Sequence, residues 1–402
     1  MDQTYFRKGF GLKGEIQGAL TDDYHSALVD EVRARGYELS VDGLTVRLAK
    51  EFGFCYGVDR AVEYAYETRT KFPGRRIFLV GEIIHNPHVN RKLADMGIVL
   101  LERTTEGEFD LSAVTADDVV ILPAFGVTKG DFDRLRALGC VLVDTTCGSV
   151  LNVWKRVESY SKDDFTALIH GKYVHEETKA TASQVTKYPG GRYVVVRDMA
   201  EARAVCDFIE RGEGADVLRE RFRKAASPDF DPVRDLQRVG VANQTTMLSS
   251  ESLAIAAEVR RAMVARYGEA EARDRFRSFD TICSATQDRQ DAVLRMLEGG
   301  VDVAVVIGGY NSSNTNHLAA LCAERVPTYH VEDSACISPE ARTIRHKPAG
   351  AHEAALAADW LPAEARVVGV TAGASTPNNR VGEVIERVFA TRGIEVAVSM
   401  SR

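Results

Sequence analysis

Short apolar runs alternate with amphipathic helical patterns along most of this 402-residue chain. The runs are rich in β-branched residues and span 44–49, 76–82, 118–124, 166–171, 192–197, 239–243, 303–309 and 367–373. Alternation of this kind predicts βαβ units, whose parallel strands are covered by helices on both faces. We therefore expect an α/β fold with mainly parallel sheets.

Three cysteines, Cys55, Cys147 and Cys283, lie far apart in the sequence, which suggests one cysteine in each of three related α/β units. We expect an N-terminal extension over 1–43 and three related α/β domains over 44–146, 147–282 and 283–402. Two segments break the pattern, a strongly charged one at 210–238 and one rich in Ala, Pro and charge at 338–365. We interpret both segments, and the extension, as solvated surface.

Charge and hydropathy exclude several classes of protein. The formal net charge is −7, whereas nucleic-acid binders usually carry a basic face. No apolar run approaches the ~18 residues that a membrane span needs. The first residues, "MDQTYFRKGFGLKGEIQ", lack the apolar core and the cleavage site of a signal peptide. We expect a cytoplasmic protein with no membrane span and no nucleic-acid partner.

The motif Asp-Thr-x-Cys occurs twice, ending at Cys147 and Cys283, and a third cysteine, Cys55, lies in "GFCYG". Each follows an apolar run and precedes a helical pattern. We therefore expect each at a strand-to-helix turn, where backbone N–H groups and the helix dipole favour a thiolate. The other cysteines are expected to be buried and structural: Cys140, Cys206, Cys322 and Cys336.

Three such thiolates do not match a structural zinc site, which is closed by four ligands. Soft thiolates favour an iron–sulfur cluster or a thiophilic metal. Because a cluster usually takes four cysteines, three would leave one iron open to bind substrate as a Lewis acid. Spacing alone leaves open the alternative of three unrelated buried cysteines.

Polar motifs follow the predicted strands, at the sheet edge where α/β proteins bind ligands. "HGKYVHEET" offers His170, His175 and Glu177, which could hold and deliver protons or simply form a surface loop. "GGYNSSNTNH" and "GVTAGASTPNN" gather hydroxyls and amides that could bind an anion at a helix N-terminus. Neither motif has the Lys of a nucleotide-binding loop. With His85 of "EIIHNPHVN", these motifs suit a small diphosphate.

Eight stretches together resemble the family of 4-hydroxy-3-methylbut-2-enyl diphosphate reductase, the last enzyme of the methylerythritol phosphate route to isoprenoids. They are "GFCYGVDRAV", "EIIHNPHVN", "VDTTCGSV", "HGKYVHEET", "ANQTTML", "FDTICSATQDRQDAV", "GGYNSSNTNHL" and "VTAGASTP". The agreement runs in order from about residue 45 to residue 390. The insertions and "LPAFG" make the chain most similar to the plastid and cyanobacterial branch.

The resemblance implies three α/β domains in a pseudo-threefold trefoil around a central 4Fe-4S cluster. Cys55, Cys147 and Cys283 would be the cluster ligands, and the open iron would bind the C4 oxygen of the substrate. The implied enzyme is an oxidoreductase that removes this hydroxyl with two external electrons, giving isopentenyl and dimethylallyl diphosphates. A ferredoxin- or flavodoxin-type electron donor is the expected partner.

The resemblance also assigns roles to side chains. Glu177, two residues after His175, would deliver the proton that lets the oxygen leave as water, relayed through Thr245 or Thr246. The residues implied in substrate binding are His85, His175, Thr245, Ser312, Ser313, Asn314 and Ser375.

Two positions depart from the family pattern. Phe125 stands where many members have the His of an Ala-His-Gly motif, and Gly148 follows Cys147 where proline is common.

Two other functions would use the same thiolates, namely a non-catalytic iron–sulfur or metal sensor and an open-iron hydro-lyase. A sensor would not need the acid loop or the Ser/Asn-rich strand ends, and a hydro-lyase would turn over without an electron donor.

Overall fold

The computed structural model describes residues 4–105, 107–279 and 281–396. The strands are β1 Tyr5–Phe6, β2 Glu38–Val41, β3 Leu44–Leu48, β4 Ile77–Val80, β5 Ile98–Leu101, β6 Val119–Leu122, β7 Val141–Asp144, β8 Thr166–His170, β9 Tyr193–Val196, β10 Val239–Asn243, β11 Phe276–Ser278, β12 Val303–Ile307, β13 Thr328–Val331, β14 Ile337–Ser338, β15 Thr343–His346, β16 Ala355–Ala358 and β17 Val367–Ala372. The α-helices are α1 Lys13–Tyr24, α2 Ala27–Ala34, α3 Tyr56–Lys71, α4 Pro87–Asp95, α5 Lys129–Ala137, α6 Gly148–Lys162, α7 Glu176–Ser183, α8 Met199–Arg211, α9 Ala215–Arg221, α10 Pro232–Asp235, α11 Ser249–Arg275, α12 Ser284–Glu298, α13 Ser313–Ala323 and α14 Asn378–Ala390.

These elements form two compact units. The first unit is drawn from 1–8, 74–81 and 98–283, and the second from 9–73, 82–97 and 284–402. Each unit therefore combines segments that are distant in the sequence.

The first unit contains two parallel sheets. One has the strand order β1-β7-β6-β4-β5, and the other has the order β11-β10-β8-β9. Strands β4, β6, β7, β8 and β10 are buried along their whole length. Burial on both faces explains why these strands appear in the sequence as unbroken apolar runs.

The second unit contains one mainly parallel sheet and one small antiparallel sheet. The first has the order β13-β12-β17-β3-β2, with only the edge strand β2 antiparallel to its neighbour. The second has the order β14-β15-β16 and is built largely from the segment 338–365. Strand β3 thus pairs with β17, which lies more than three hundred residues later in the chain.

Each of the eight apolar runs in the sequence contains a strand. The predicted α/β class with mainly parallel sheets is confirmed. The predicted division of the chain into three domains stays a prediction.

The interpretation of three segments as solvated surface is wrong for part of each. In all three, apolar side chains lie between charged ones and are buried in hydrophobic cores, which the high overall charge of the segments conceals in the sequence. The buried residues include Leu28, Val29 and Val32 of the extension, Leu218, Phe222 and Phe230 of the segment 210–238, and Ile344, Trp360 and Leu361 of the segment 338–365.

The long helix α11 changes direction at Gly268, whose φ of 78° and ψ of 162° are not helical. Glycine tolerates this left-handed backbone because it has no Cβ. Neither α11 nor any other helix in the described ranges is long and apolar enough to cross a membrane.

Candidate active site

The three cysteines of interest each precede a helix. Cys55 is the N-cap of α3 and Cys147 the N-cap of α6, both with extended backbone, and Cys283 lies immediately before α12. All three are partly exposed. Their predicted positions at strand-to-helix turns are therefore confirmed, and each thiol lies at the positive end of a helix dipole.

The other four cysteines are buried, as predicted. Burial raises the pKa of the Cys206 and Cys322 thiols to about 12 and also raises that of Cys140. These three thiols stay protonated at neutral pH, so they are poor nucleophiles and poor metal ligands.

In the first unit, Ser149 connects two of the partly exposed cysteines. Ser149 lies in the first turn of α6, two residues after Cys147, and its hydroxyl donates a hydrogen bond to the Sγ of Cys283 at 3.3 Å. Cys283 is thereby held beside the helix that Cys147 caps. Sequence analysis missed this contact, although Ser149 is part of the "TTCGS" stretch.

The turn before Cys147 is fixed by buried polar groups. The Oδ1 of Asp144 accepts hydrogen bonds from the backbone N–H and the hydroxyl of Thr146, and its Oδ2 accepts one from the Tyr5 hydroxyl at 2.6 Å. The N–H of Cys147 donates to the carbonyl of Ala124 at 2.8 Å. The end of β7 is therefore held by hydrogen bonds to Tyr5 of β1 and to Ala124, which follows β6.

The ring of Trp154, on α6, closely covers Gly126. A Cβ at Gly126 would lie 2.4 Å from this ring, and the φ of +80° at Gly126 also requires glycine. Gly126 follows Phe125, the residue that departs from the family pattern. The "FG" of "LPAFG" thus lets the indole pack close to the turn that leads to Cys147.

Glu177 and Thr245 form a buried pair in the first unit, with 3% and 5% of their surfaces exposed. The N–H of Thr245 donates to Oε1 of Glu177 at 2.6 Å, and its hydroxyl donates to Oε2 at 3.1 Å. The carbonyl of Thr245 accepts a hydrogen bond from the N–H of Cys283 at 3.4 Å. One residue therefore connects the buried carboxyl group to the turn that carries Cys283.

His175 and Thr246 flank this pair. The Nδ1 of His175 accepts a hydrogen bond from the N–H of Glu177 at 3.2 Å, which places the proton of the neutral ring on Nε2. The Thr246 hydroxyl accepts from the side-chain amide of Gln244 at 2.8 Å. His170, the other histidine of the motif, is fully buried and hydrogen-bonds Ser252.

The second unit carries the Ser/Asn-rich residues at the start of α13, which we call the NSSN turn (Asn311–Asn314). Ser312 is the N-cap of α13, and the Oδ1 of Asn314 accepts from the N–H of Ala374 at 3.0 Å. The Ser313 hydroxyl and the Asn314 Nδ2 are buried and have no hydrogen-bond partner among the described residues. Because an unsatisfied buried donor costs free energy, these groups indicate a place for a polar ligand.

Two further predicted residues lie close to the NSSN turn. The Ser375 hydroxyl donates to the carbonyl of His85 at 3.2 Å. A Cβ at Gly309 would lie 2.7 Å from the same carbonyl, so only glycine permits this close approach. The structure thus brings His85, the NSSN turn and Ser375 together within one unit.

Glu82 is a member of this group that sequence analysis missed. Its Oε2 lies 2.9 Å from the Nδ1 of His85 and accepts a hydrogen bond from the Asn311 side chain at 3.2 Å. The signal was present as a carboxylate three residues before a histidine. Glu82 therefore fixes the orientation of the His85 ring and joins it to the Asn311 side chain.

Within either described unit, no three His, Cys, Asp or Glu side chains lie in a metal-binding arrangement. The predicted site residues are instead divided between the units. Glu177, Thr245, Cys147 and Cys283 belong to the first, and Cys55 with the anion-binding residues belongs to the second.

Replacing Gly148 with proline is expected to raise the free energy of unfolding by about 0.4–1 kcal/mol, because proline restricts the unfolded chain. Gly148 is the first residue of α6, where proline is favoured and no helical hydrogen bond is lost. Cys147 already has the extended backbone that proline requires of its predecessor, with φ −62° and ψ 142°. Thermal unfolding of the wild type, Gly148→Pro and Gly148→Ala checks this. A lower midpoint for Gly148→Pro would contradict it.

Comparisons with known proteins agree with the sequence motifs. The family model described as LytB protein matches residues 46–389. A 4-hydroxy-3-methylbut-2-enyl diphosphate reductase of Gloeobacter violaceus is 49% identical over 98% of this chain and 94% of its own length. The enzyme of the same name from Thermosynechococcus vestitus is 47% identical over 98% and 96%. Both relatives are cyanobacterial, as the resemblance predicted.

Solved structures give the same result. The structure of (E)-4-hydroxy-3-methyl-but-2-enyl diphosphate reductase, the terminal enzyme of the non-mevalonate pathway, matches 87% of this chain and 99% of its own, with 25% identity and a TM-score of 0.52. The Plasmodium falciparum E-1-hydroxy-2-methyl-but-2-enyl-4-diphosphate reductase has a TM-score of 0.62 at 19% identity, over 86% of this chain and 87% of its own, and shows the fold alone. The predictions of the family and of an oxidoreductase are confirmed. The chain belongs to the LytB family of 4-hydroxy-3-methylbut-2-enyl diphosphate reductases.

Proposed function

We propose that this chain reduces (E)-4-hydroxy-3-methylbut-2-enyl diphosphate to isopentenyl and dimethylallyl diphosphates in the cytoplasm. The reaction takes two electrons and two protons, breaks the C4–O bond and releases water. Beyond family membership, one observation carries the proposal. The buried Glu177–Thr245 pair is hydrogen-bonded to the turn of Cys283, which puts an acid next to a soft ligand.

Membership of the family implies an iron–sulfur cluster, and the donor set fits one. We propose that Cys55, Cys147 and Cys283 hold a 4Fe-4S cluster with one iron open. They are the partly exposed cysteines at helix starts, whereas the others are buried. A cluster held by these cysteines would supply the electrons for the reduction and a Lewis acid for the leaving hydroxyl. The Ser149 hydroxyl supports the Sγ of Cys283, as outer hydrogen bonds to metal ligands commonly do.

Glu177 is the proposed proton donor for the leaving hydroxyl. The Thr245 hydroxyl, 3.1 Å from Oε2, can accept the carboxyl proton while it donates its own to a substrate oxygen. The Thr245 N–H on Oε1 keeps the carboxyl group in one orientation during this exchange. We assign the proton relay to the Thr245 hydroxyl. Thr246, whose hydroxyl accepts a hydrogen bond from the Gln244 side chain, supports Thr245 as its neighbour in the chain.

The diphosphate is proposed to bind the NSSN turn, Ser375, His85 and His175. The buried Ser313 hydroxyl and Asn314 amide supply donors that have no partner among the described residues. The N-terminus of α13 adds backbone N–H groups and the positive end of its dipole. His175 can donate from Nε2, since its Nδ1 accepts from the Glu177 N–H.

The electrons must come from another protein, because no flavin or nicotinamide motif is present in the sequence. We propose a ferredoxin- or flavodoxin-type donor.

Anaerobic reconstitution with iron and sulfide, followed by turnover with a strong one-electron reductant, tests the proposed reaction. We expect both C5 diphosphates to form, and only when the reductant is present. Conversion of the substrate without reductant would indicate a hydro-lyase instead. An intact cluster with no turnover under either condition would favour a sensor.

A further inference from the structure

Lys347 lies in the segment 338–365 and contacts residues on either side of the NSSN turn. Its ammonium donates hydrogen bonds to the carbonyl of Tyr310 at 3.0 Å and to the Oδ1 of Asn316 at 3.3 Å. Tyr310 directly precedes the turn, and Asn316 lies in the first helical turn of α13. A basic residue from a segment interpreted as surface thus reaches the proposed diphosphate site.

Asn316 continues the same network. Its Nδ2 donates to the carbonyl of Tyr310 at 2.9 Å and to the carbonyl of Ser312 at 2.7 Å. The Tyr310 carbonyl therefore receives hydrogen bonds from both Lys347 and Asn316. With two donors on this carbonyl, the backbone that enters the turn has a fixed orientation.

The small antiparallel sheet holds Lys347 in this position. The N–H of Lys347 donates to the carbonyl of His330 at 2.9 Å, which joins the end of β15 to β13. Ile344, on β15, is fully buried in the hydrophobic core of the unit. The sheet is therefore anchored in the core, and Lys347 follows it directly.

The charge of Lys347 has no close counterion in the described ranges. No carboxylate there lies within 4.0 Å of its ammonium, and both acceptors are neutral oxygens. Burial lowers the pKa of Lys347, and the carboxylate of Glu332 opposes this only in part. The ammonium also lies beside the positive end of the α13 dipole, where a cation is unfavourable. An anion bound at the NSSN turn would relieve both effects.

We propose that Lys347 is a positioning residue for the substrate diphosphate. Its ammonium orients the NSSN turn through the Tyr310 carbonyl and supplies positive charge behind the turn. The small antiparallel sheet of the segment 338–365 holds this ammonium group beside the NSSN turn. The inference rests on the proposed function, since it assumes that the NSSN turn binds the diphosphate.

The test measures binding of inorganic pyrophosphate to the reconstituted enzyme by calorimetry, together with kcat and KM for the substrate. Lys347→Met removes the charge and keeps the length, Lys347→Arg keeps the charge, and Lys347→Gln is used if the Met variant does not fold. Arg342→Met is the matched control, because Arg342 lies in the same segment and forms an exposed ion pair with Asp359. Ser313→Ala tests the diphosphate site itself, and thermal unfolding monitors the fold.

We expect Lys347→Met to weaken pyrophosphate binding and raise KM by about tenfold or more, because it removes the positive charge behind the turn and the hydrogen bonds that orient it, with kcat little changed. Lys347→Arg should recover most of the affinity, and Arg342→Met should match the wild type. Weaker binding by Ser313→Ala but not by Lys347→Met would overturn this inference and leave the diphosphate site intact. If neither variant changes the affinity, the assignment of the diphosphate to the NSSN turn is wrong as well.

Discussion

Glu177→Gln is expected to lower kcat by about 10²–10⁴-fold, the usual contribution of a positioned general acid, while the fold and the bound iron stay at wild-type levels. The glutamine side chain has the same size, and its oxygen can still accept the N–H of Thr245, which lies 2.6 Å from the carboxylate. The Thr245 hydroxyl can turn to accept from the new amide. Only the transferable proton is lost.

Glu176→Gln is the matched control. Glu176 is the neighbouring residue on α7, but it forms partly exposed ion pairs with Arg103 and Lys179. Because ion pairs that stay in contact with solvent contribute little to stability, this variant should fold and turn over normally. Iron content and the visible absorbance of the cluster, measured on both variants, separate a loss of chemistry from a loss of the cofactor. Normal turnover by Glu177→Gln would show that another group delivers the proton.

Each of the substitutions Cys55→Ser, Cys147→Ser and Cys283→Ser is expected to remove most of the bound iron and to lower turnover below detection. An alcohol replaces a soft thiolate, which is the ligand type that iron–sulfur clusters require. The loss should exceed the roughly 10–100-fold effects that are typical when only an outer-shell partner of a metal ligand is changed. Iron and sulfide per chain after anaerobic reconstitution, together with turnover, measure the effect.

Cys140→Ser provides the comparison for these three variants. Cys140 is buried, and its Sγ donates to the carbonyl of Leu135 at 3.5 Å, a hydrogen bond that serine can also make. This variant should bind iron like the wild type. A variant of Cys55, Cys147 or Cys283 that kept its iron and its turnover would remove that residue from the ligand set.

Much of the fold could be predicted because parallel strands buried on both faces leave unbroken apolar runs such as "VVIL" at 119–122. The turns that carry Cys55 and Cys147 could be located because a helical pattern begins directly after each one. Glu177 and Thr245 were both proposed, but their direct hydrogen bonds join residues 68 positions apart, and only the pairing of β8 with β10 makes them neighbours.

Other contacts could not be predicted, because nothing in the nearby sequence indicates them. Lys347 lies more than thirty residues from its partners Tyr310 and Asn316, in a segment whose charge suggests surface. Phe222 lies between arginines and is nevertheless 1% exposed, because the helices of the segment 210–238 pack against the core of the first unit. Patterns of period 2 or 3.6 show which face of an element is buried. They do not show which distant residue covers that face.

The position of Trp154 on α6 has an optical consequence. The chain contains two tryptophans, and Trp154 lies on the helix that Cys147 caps, about 10 Å along the helix axis from this cysteine. An iron–sulfur chromophore absorbs where indole emits, so a cluster bound at Cys147 would quench the fluorescence of Trp154 by energy transfer. With Trp360 replaced by phenylalanine, tryptophan emission becomes a continuous signal of cluster loading and of cluster loss in air, with no added probe.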